Sequence, residues 1–259
     1  MTDPVMQYTD LLPHLPPDLR SRVRCYSFSR WGGVSTGPFA QLNVGESVGD
    51  EVENVRANLE LVRNAVQASK IASVRQVHGT RFLHIGSLPE MTRLSPASQE
   101  ADGIFCSCPG LGIMVKHADC QAVAMFDPVR NVIANIHCGW RGGVQDILGK
   151  AVAELSRIYG TRPQDIWAGI SPSLGPCCAE FRSWKEDLPV WMHAFQVKPD
   201  YFDFRAVSVQ QLMDAGVPEG QISCSGTCTV CNRDCFSYRR DGVTGRLGTV
   251  IVLSSSFLR

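Results

Sequence analysis

Apolar residues recur along this chain in two rhythms, and the change from one to the other marks its elements. Val52, Val55, Leu59 and Val62 follow the capping residue Asp50 at spacings of three and four, with charged residues between them. The spacing predicts an amphipathic helix over 51–66 packed on a core. Short apolar runs predict strands at 25–30, 74–78, 82–85, 104–105, 113–118, 122–126, 132–136, 166–170 and 249–253. Asp127-Pro128-Val129-Arg130 separates the 122–126 and 132–136 runs, and proline at the second position of a type I turn makes them a hairpin. The glycine-rich stretch Gly139–Gly143 then leads into a helix over 144–159, with Ile147, Leu148, Ala151, Leu155 and Ile158 on one face and Gly160 closing it. A short helix follows near 205–215, while 87–101 reads as a polar surface loop and 181–204 as an irregular aromatic-rich stretch. Proline-rich residues 1–24 read as a loosely ordered entry segment with at most one short helix. Residues 25–259 then form one domain.

Composition narrows the partners. Hydrophobic residues make up 44% of the 259 and charged residues 19%, as in an ordinary globular protein. Lysine plus arginine equal aspartate plus glutamate at 25 each, so no long-range field favours nucleic acid or an anionic membrane, and an anion must be recognised locally. Apolar runs fall far short of the roughly 20 residues of a membrane span, and the acidic, proline-bearing N-terminus does not resemble an export signal. The expected location is the cytoplasm. Eleven cysteines are then reduced thiols, some of them metal ligands.

A hairpin centred between Pro128 and Val129 sets Cys120 directly opposite His137. Directly opposed residues share a face, with Cβ atoms about 4.5 to 5.5 Å apart, from which a thiolate and an imidazole reach one tetrahedral metal. A bulge in the hairpin would break this register, leaving the two as half-buried strand residues. Among the remaining histidines His78 is the best third ligand, because it ends a strand-like run beside Gly79. His14 and His193 lie in irregular stretches, and His117 is expected on the opposite sheet face from Cys120, as a core or supporting residue. A His/Cys/His set leaves a fourth position open, as catalytic zinc does, and thiolate with imidazole selects zinc over magnesium or calcium. Cys224, Cys228, Cys231 and Cys235 fall within twelve residues but form only one C-x₂-C knuckle. They are expected to be reduced, partly buried thiols rather than a second metal site, and Cys177-Cys178 to pack rather than coordinate.

Two further groups offer chemistry. Gly139–Gly143 before a helix N-terminus is a cradle for an anion, to which Arg141 adds a forked cation; the alternative for Arg141 is an ordinary surface ion pair. Tyr238, Arg239 and Arg240 suit stacking on a base or contact with phosphate, or else form a sheet-edge aromatic with solvated arginines. Asp119 can orient a ligand or carry a proton, although an aspartate at a strand end more often makes structural hydrogen bonds.

Several motifs in order resemble the YfiH/laccase-domain family from about residue 25 onward: Arg30-Trp31-Gly32-Gly33-Val34-Ser35, Leu42-Asn43-Val44-Gly45, Gln76-Val77-His78-Gly79, Ala118-Asp119-Cys120, His137-Cys138-Gly139-Trp140-Arg141-Gly142, Gly175-Pro176-Cys177-Cys178 and Phe236-Ser237-Tyr238-Arg239-Arg240-Asp241. The resemblance implies a single α+β domain with a mixed β-sheet core flanked by helices, and one zinc on His78, Cys120 and His137. It also implies phosphorolysis of adenosine, inosine and 5′-methylthioadenosine with phosphate as co-substrate, together with adenosine deamination, and it adds Arg30 and Asn43 to the substrate-binding residues. Cys138, His117, Ala179 and Cys235 depart from the family pattern without removing a ligand. Deamination ranks second, because the H-x-E and P-C-x-x-C deaminase signature is missing. A cysteine hydrolase with Cys120 as nucleophile and His137 as base, acting in peptidoglycan precursor editing, is the enzymatic alternative. A non-enzymatic metal-binding scaffold is the bland one. Multicopper polyphenol oxidation needs more histidine ligands than the six present, so copper is disfavoured.

Overall fold

The computed structural model describes residues 5–255 apart from 88, 91 and 93–95, and its strands form two sheets stacked face to face. The chain ends and part of the loop expected over 87–101 lie outside the described residues. The first sheet runs β1 (Tyr8–Asp10), β2 (Val23–Phe28), β13 (Leu247–Leu253), β6 (Leu111–His117), β3 (Lys70–Ala72), antiparallel except at β3–β6. The second runs β12 (Ile222–Cys224), β9 (Trp167–Ile170), β7 (Gln121–Asp127), β8 (Val132–Cys138), β5 (Gly103–Cys106), β4 (Phe82–Ile85), parallel at its two outer pairs. A small ribbon joins β10 (Gln196–Lys198) to β11 (Tyr201–Phe202).

Side chains alternate across each strand, and the alternation builds the layers. Ala124, Phe126 and Ile133 enter the space between the sheets with Ile104, Ile113 and Ile251. Val123, Met125, Ala134 and Ile136 face the other way, onto helix Ile147–Tyr159 and Leu212 of helix Phe204–Asp214. The outer face of the first sheet, with Phe28, Met114, Val250 and Val252, is covered by Val62 and Val66 around the end of helix Val52–Ala65. The result is a helix–sheet–sheet–helix domain of mixed strands, the α+β class expected. Central strands buried on both faces read as continuous apolar runs, which is why they stand out in the sequence.

Four local expectations are corrected. The β7–β8 hairpin closes through the four residues Pro128 to Asn131, because Asp127 Oδ1 accepts from the N–H groups of Val129 and Arg130 and Asn131 turns left-handed (φ 51°). His137 therefore pairs with Ala122, and Cys120 falls just before β7 instead of opposite it. The strand expected over 74–78 sits at Lys70–Ala72, so His78 belongs to the following loop. The N-terminal segment is folded from Tyr8: β1 pairs with β2, and Leu11, Leu12 and Leu15 are buried. Finally, the 144–159 helix is broken by Asp146, which adopts φ 53° and caps Gly149 N–H, so residues Trp140–Val144 form a separate short helix where a glycine loop was expected. Among the described residues no helix is long and apolar enough to cross a membrane.

Candidate metal centre

The chain passes from the first sheet to the second between His117, the end of β6, and Gln121, the start of β7. Only Ala118, Asp119 and Cys120 make this connection, and Asp119 supplies the sharp turn with φ 84°. That crossover sets Cys120 beside the end of β8. His137 shares the face of β8 with Asn135, whose amide donates to the carbonyls of Ile113 and Thr249 in the first sheet. Side chains therefore meet here from β8, the crossover and the loop of His78. Ligand atoms of His78, Cys120 and His137 lie within 4.8 Å of one another, and Cys120 Sγ is 4.0 Å from His78 Nε2. The two imidazoles stand 77° apart.

One carboxylate holds both histidines. Asp102, wholly buried, accepts from His137 Nδ1 (2.9 Å) and His78 N–H (2.9 Å) through Oδ1, and from Gly79 N–H (2.6 Å) and Val77 N–H (3.3 Å) through Oδ2. These bonds fix the turn in which His78 takes φ 60°. They also leave Nε2 of His137 as its free ring nitrogen. Burial alone would raise the Asp102 pKa, but the bonds from His137, Gly79 and His78 outweigh it and hold the group below the usual carboxylate range. Asp102 belongs to no motif in the sequence; its one signal there is an acid directly before the wholly buried strand β5.

Cys120 and His137 perturb each other. Burial opposes the thiolate, yet the His137 charge and hydrogen bonds from both histidines bring Cys120 down to about 6. Burial likewise opposes the imidazolium, and the Cys120 and Asp102 charges raise His137 to about 9. Gly139 completes the pocket: a Cβ there would stand 3.1 Å from both Cys120 Sγ and His78 Cδ2, so the missing side chain keeps the space among the ligands open. A soft thiolate and two imidazoles, with a carboxylate behind one of them, can hold a metal ion here.

His117 also enters the inter-sheet layer, where Nε2 bonds Thr249 Oγ1 (2.9 Å) and Thr249 in turn donates to Ser27. Its Nδ1 is buried without a partner, and burial pushes the pKa down to about 3. An unfolded chain binds this proton near pH 6.5 and the folded one does not, so His117 removes stability as pH falls from about 6.5 toward 3. At pH 5 the loss is about 2 kcal/mol. Urea unfolding at pH 7 and pH 5 is expected to show a pH difference smaller by about that amount in His117→Gln; an equal difference in both proteins would contradict the assignment.

The three ligand side chains line a cavity of about 750 Å³ that is also bounded by Trp140, Phe181, Phe204, Tyr238, Arg239 and Arg246. Asp119 borders it, but its carboxylate is committed to Thr229 Oγ1 (2.6 Å), Ser237 Oγ (2.7 Å) and Arg239 N–H (2.6 Å). Arg141 is exposed, stacked on Trp140 at 4.5 Å, and does not line the cavity. Arg30 lies over Phe236 at 4.7 Å and donates to the Ala40 carbonyl. Asn43 is fully buried and accepts from Gly45 and Arg246 N–H, so it shapes the cavity wall from behind. Arg240 is spent on the carbonyls of Thr229, Val230, Asn232 and Cys235 and on Asp241. Of the residues expected to bind substrate, Tyr238 and Arg239 line the cavity. Arg246 lines it as well; it precedes the apolar run of β13 and carries no motif.

Fold and site together define a single-domain α+β protein built around a pocket with one potential metal centre. Residues 24–254 match the family described as multi-copper polyphenol oxidoreductase laccase, and the chain belongs to that family. It is 32% identical over 235 residues to the purine nucleoside phosphorylase YlmD of Bacillus subtilis, covering 85% of this chain and 84% of that one. A purine nucleoside phosphorylase of Deinococcus radiodurans is 31% identical, with 87% of each chain covered. Among solved structures, YlmD from Geobacillus stearothermophilus is similar with a TM-score of 0.83 at 27% identity, over 95% of this chain and 100% of that one. The hypothetical protein YfiH of Bacillus licheniformis is similar with a TM-score of 0.81 at 31% identity, over 90% and 93%.

Proposed function

We propose that this protein is a zinc-dependent purine nucleoside phosphorylase acting on adenosine, inosine or 5′-methylthioadenosine. The observation that carries the reading is the meeting of His78, Cys120 and His137 with Arg239 and Arg246 around one cavity. Its volume suits a nucleoside with phosphate. Relatives along nearly the whole chain that bear the name purine nucleoside phosphorylase support it.

His78, Cys120 and His137 would hold the zinc, which supplies positive charge beside the bound substrate. Arg246 and Arg239 provide the forked cations for phosphate, a role that the exposed Arg141 is less well placed to fill. Lys116 also borders the cavity, but Glu46 neutralises it at 2.7 Å. Asp119 holds the Arg239 backbone and so orients the phosphate side. Trp140, Phe181 and Phe204 offer rings to the purine, with Trp140 and Phe181 edge to face at 4.9 Å. In the reaction a phosphate oxygen bonds to C1′ while the C1′–N9 bond breaks, giving the sugar 1-phosphate and the free base.

Adenosine deamination is the second activity, and it ranks lower for a physical reason. It needs a proton carrier at the purine, yet the acids at the cavity are engaged: Glu46 with Lys116, Glu180 with Arg182, and Asp119 with its three donors. The hydrolase alternative draws support from the lowered thiol and raised imidazole of Cys120 and His137. That pair, however, gives no role to His78, which a strained turn holds against the same sulfur. For oxidation, His84 is bound to Glu154 and His193 to the Leu188 carbonyl, and His117, bound to Thr249, is not one of the three grouped ligands.

The test is turnover of adenosine with and without inorganic phosphate. Adenine and ribose 1-phosphate are expected only when phosphate is present. Base release at an equal rate without phosphate would overturn phosphorolysis.

A further inference from the structure

We propose that Cys177, Cys178, Cys228 and Cys231 form a second, structural zinc site that fastens the wall of the cavity. The sequence spacing disfavours such a site, because the four cysteines within 224–235 contain one knuckle only. The fold brings the second pair of ligands from elsewhere: Cys177 and Cys178 end the loop after β9 and meet the Cys228-Thr229-Val230-Cys231 turn. Cys224 and Cys235 take no part in this group.

The sulfur spacing fits a tetrahedral thiolate complex. Zinc–sulfur bonds of about 2.3 Å set the sulfurs of such a complex about 3.8 Å apart. Here Cys231 Sγ is 3.6 Å from Cys177 Sγ and 3.5 Å from Cys178 Sγ, and all four sulfurs lie within 4.8 Å of one another. Cys228 is buried, and its sulfur accepts N–H bonds from Gly175 (3.3 Å), Val230 and Cys231. Donors to the first sulfur from the residues two and three further along the turn pre-form a thiolate knuckle. Gly175 permits the approach, since a Cβ there would stand 2.8 Å from Cys228 Cβ. Arg205 flanks the same point of Gly175, and its Nη1 is buried without a hydrogen-bond partner. Four thiolates on one zinc carry net negative charge, which this guanidinium offsets.

The site is tied to the first centre through the protein. Thr229, inside the knuckle, donates to Asp119 next to Cys120, and Leu174 N–H of the other loop bonds the Asp119 carbonyl. A metal joining the two loops therefore fixes the crossover that carries Cys120.

Elemental analysis of wild-type protein isolated under reductant and without chelator is expected to give about two zinc ions per chain, and the Cys177→Ser/Cys231→Ser variant about one. A count unchanged between wild type and the variant would overturn the site, whatever the wild-type total. Because the variant loses a loop clamp and can misfold, wild-type protein supplies a second readout. Cys177, Cys231 and Cys224 are all exposed, but only the first two belong to the group. Alkylation followed by peptide mass spectrometry is expected to modify Cys224 about tenfold faster than Cys177 and Cys231, with the difference abolished by a strong chelator. Equal rates before chelation would count against the proposal. The zinc count and alkylation pattern do not depend on which reaction the cavity performs.

Discussion

Cys120→Ser is expected to remove one zinc ion per chain and to lower phosphate-dependent nucleoside turnover about 10³-fold, since a metal supplies several kcal/mol of charge stabilisation at the reacting centre. The substitution preserves the size of the side chain but not its acidity: a serine hydroxyl does not ionise where the Cys120 thiol, drawn down to about 6, does. Losing the thiolate also removes the leading support for the raised His137 pKa, so this imidazole reverts toward its neutral form. Zinc content measured beside activity separates the two roles of the residue. An inactive variant with the wild-type zinc content would make Cys120 a nucleophile and sink the ligand assignment.

The fold was readable where burial dictates composition, and unreadable where a single side chain redirects the backbone. Continuous apolar runs at 122–126 and 132–136 announced β7 and β8 because both faces of the second sheet are covered. Their register is not legible there, since the Asp127 carboxylate binds two N–H groups and lengthens the turn, a choice that hydrophobic pattern does not encode. Cys120 and His137 are therefore not partners across the strands, where His137 faces Ala122. The residues come together instead because the crossover at 118–120 returns the chain to the end of β8.

Charged residues were the least legible part. Arg30, Arg141, Arg239, Arg240 and Arg246 look alike to composition, but their surroundings differ. Arg240 is saturated by carbonyls, Arg141 stacks on the surface, and Arg239 and Arg246 border the cavity. Which way a guanidinium turns is decided by loops distant in sequence, as when Asn43 fixes the backbone of Arg246. The same holds for the thiols. Cys177 and Cys178 join Cys228 and Cys231 only after β9 and β12 have paired in parallel and brought their following loops side by side.

Asp102 is the residue on which stability and site depend together, and Asp102→Asn is expected to damage both. Each oxygen of the buried carboxylate faces two N–H donors: His78 and His137 on one side, Val77 and Gly79 on the other. An asparagine in the same place accepts through one oxygen and must point its own NH₂ at the other pair. Either Val77 and Gly79 lose their acceptor, or His78 N–H and the His137 ring lose theirs together. Breaking a buried charged arrangement in this way costs about 3 to 5 kcal/mol, a fall in Tm on the order of 10 °C for a domain of this size. Without the carboxylate behind it, His137 is a poorer ligand, and zinc affinity is expected to fall about 10- to 100-fold. Asp127→Asn provides the comparison: this carboxylate is also buried, but it serves the hairpin turn at the far end of β7, and its Oδ2 has no partner. Thermal unfolding and competition with a zinc chelator, run on both variants, read the two effects separately. Zinc affinity should fall in Asp102→Asn and hold in Asp127→Asn; wild-type affinity in Asp102→Asn would mean that the carboxylate supports the fold without shaping the metal centre.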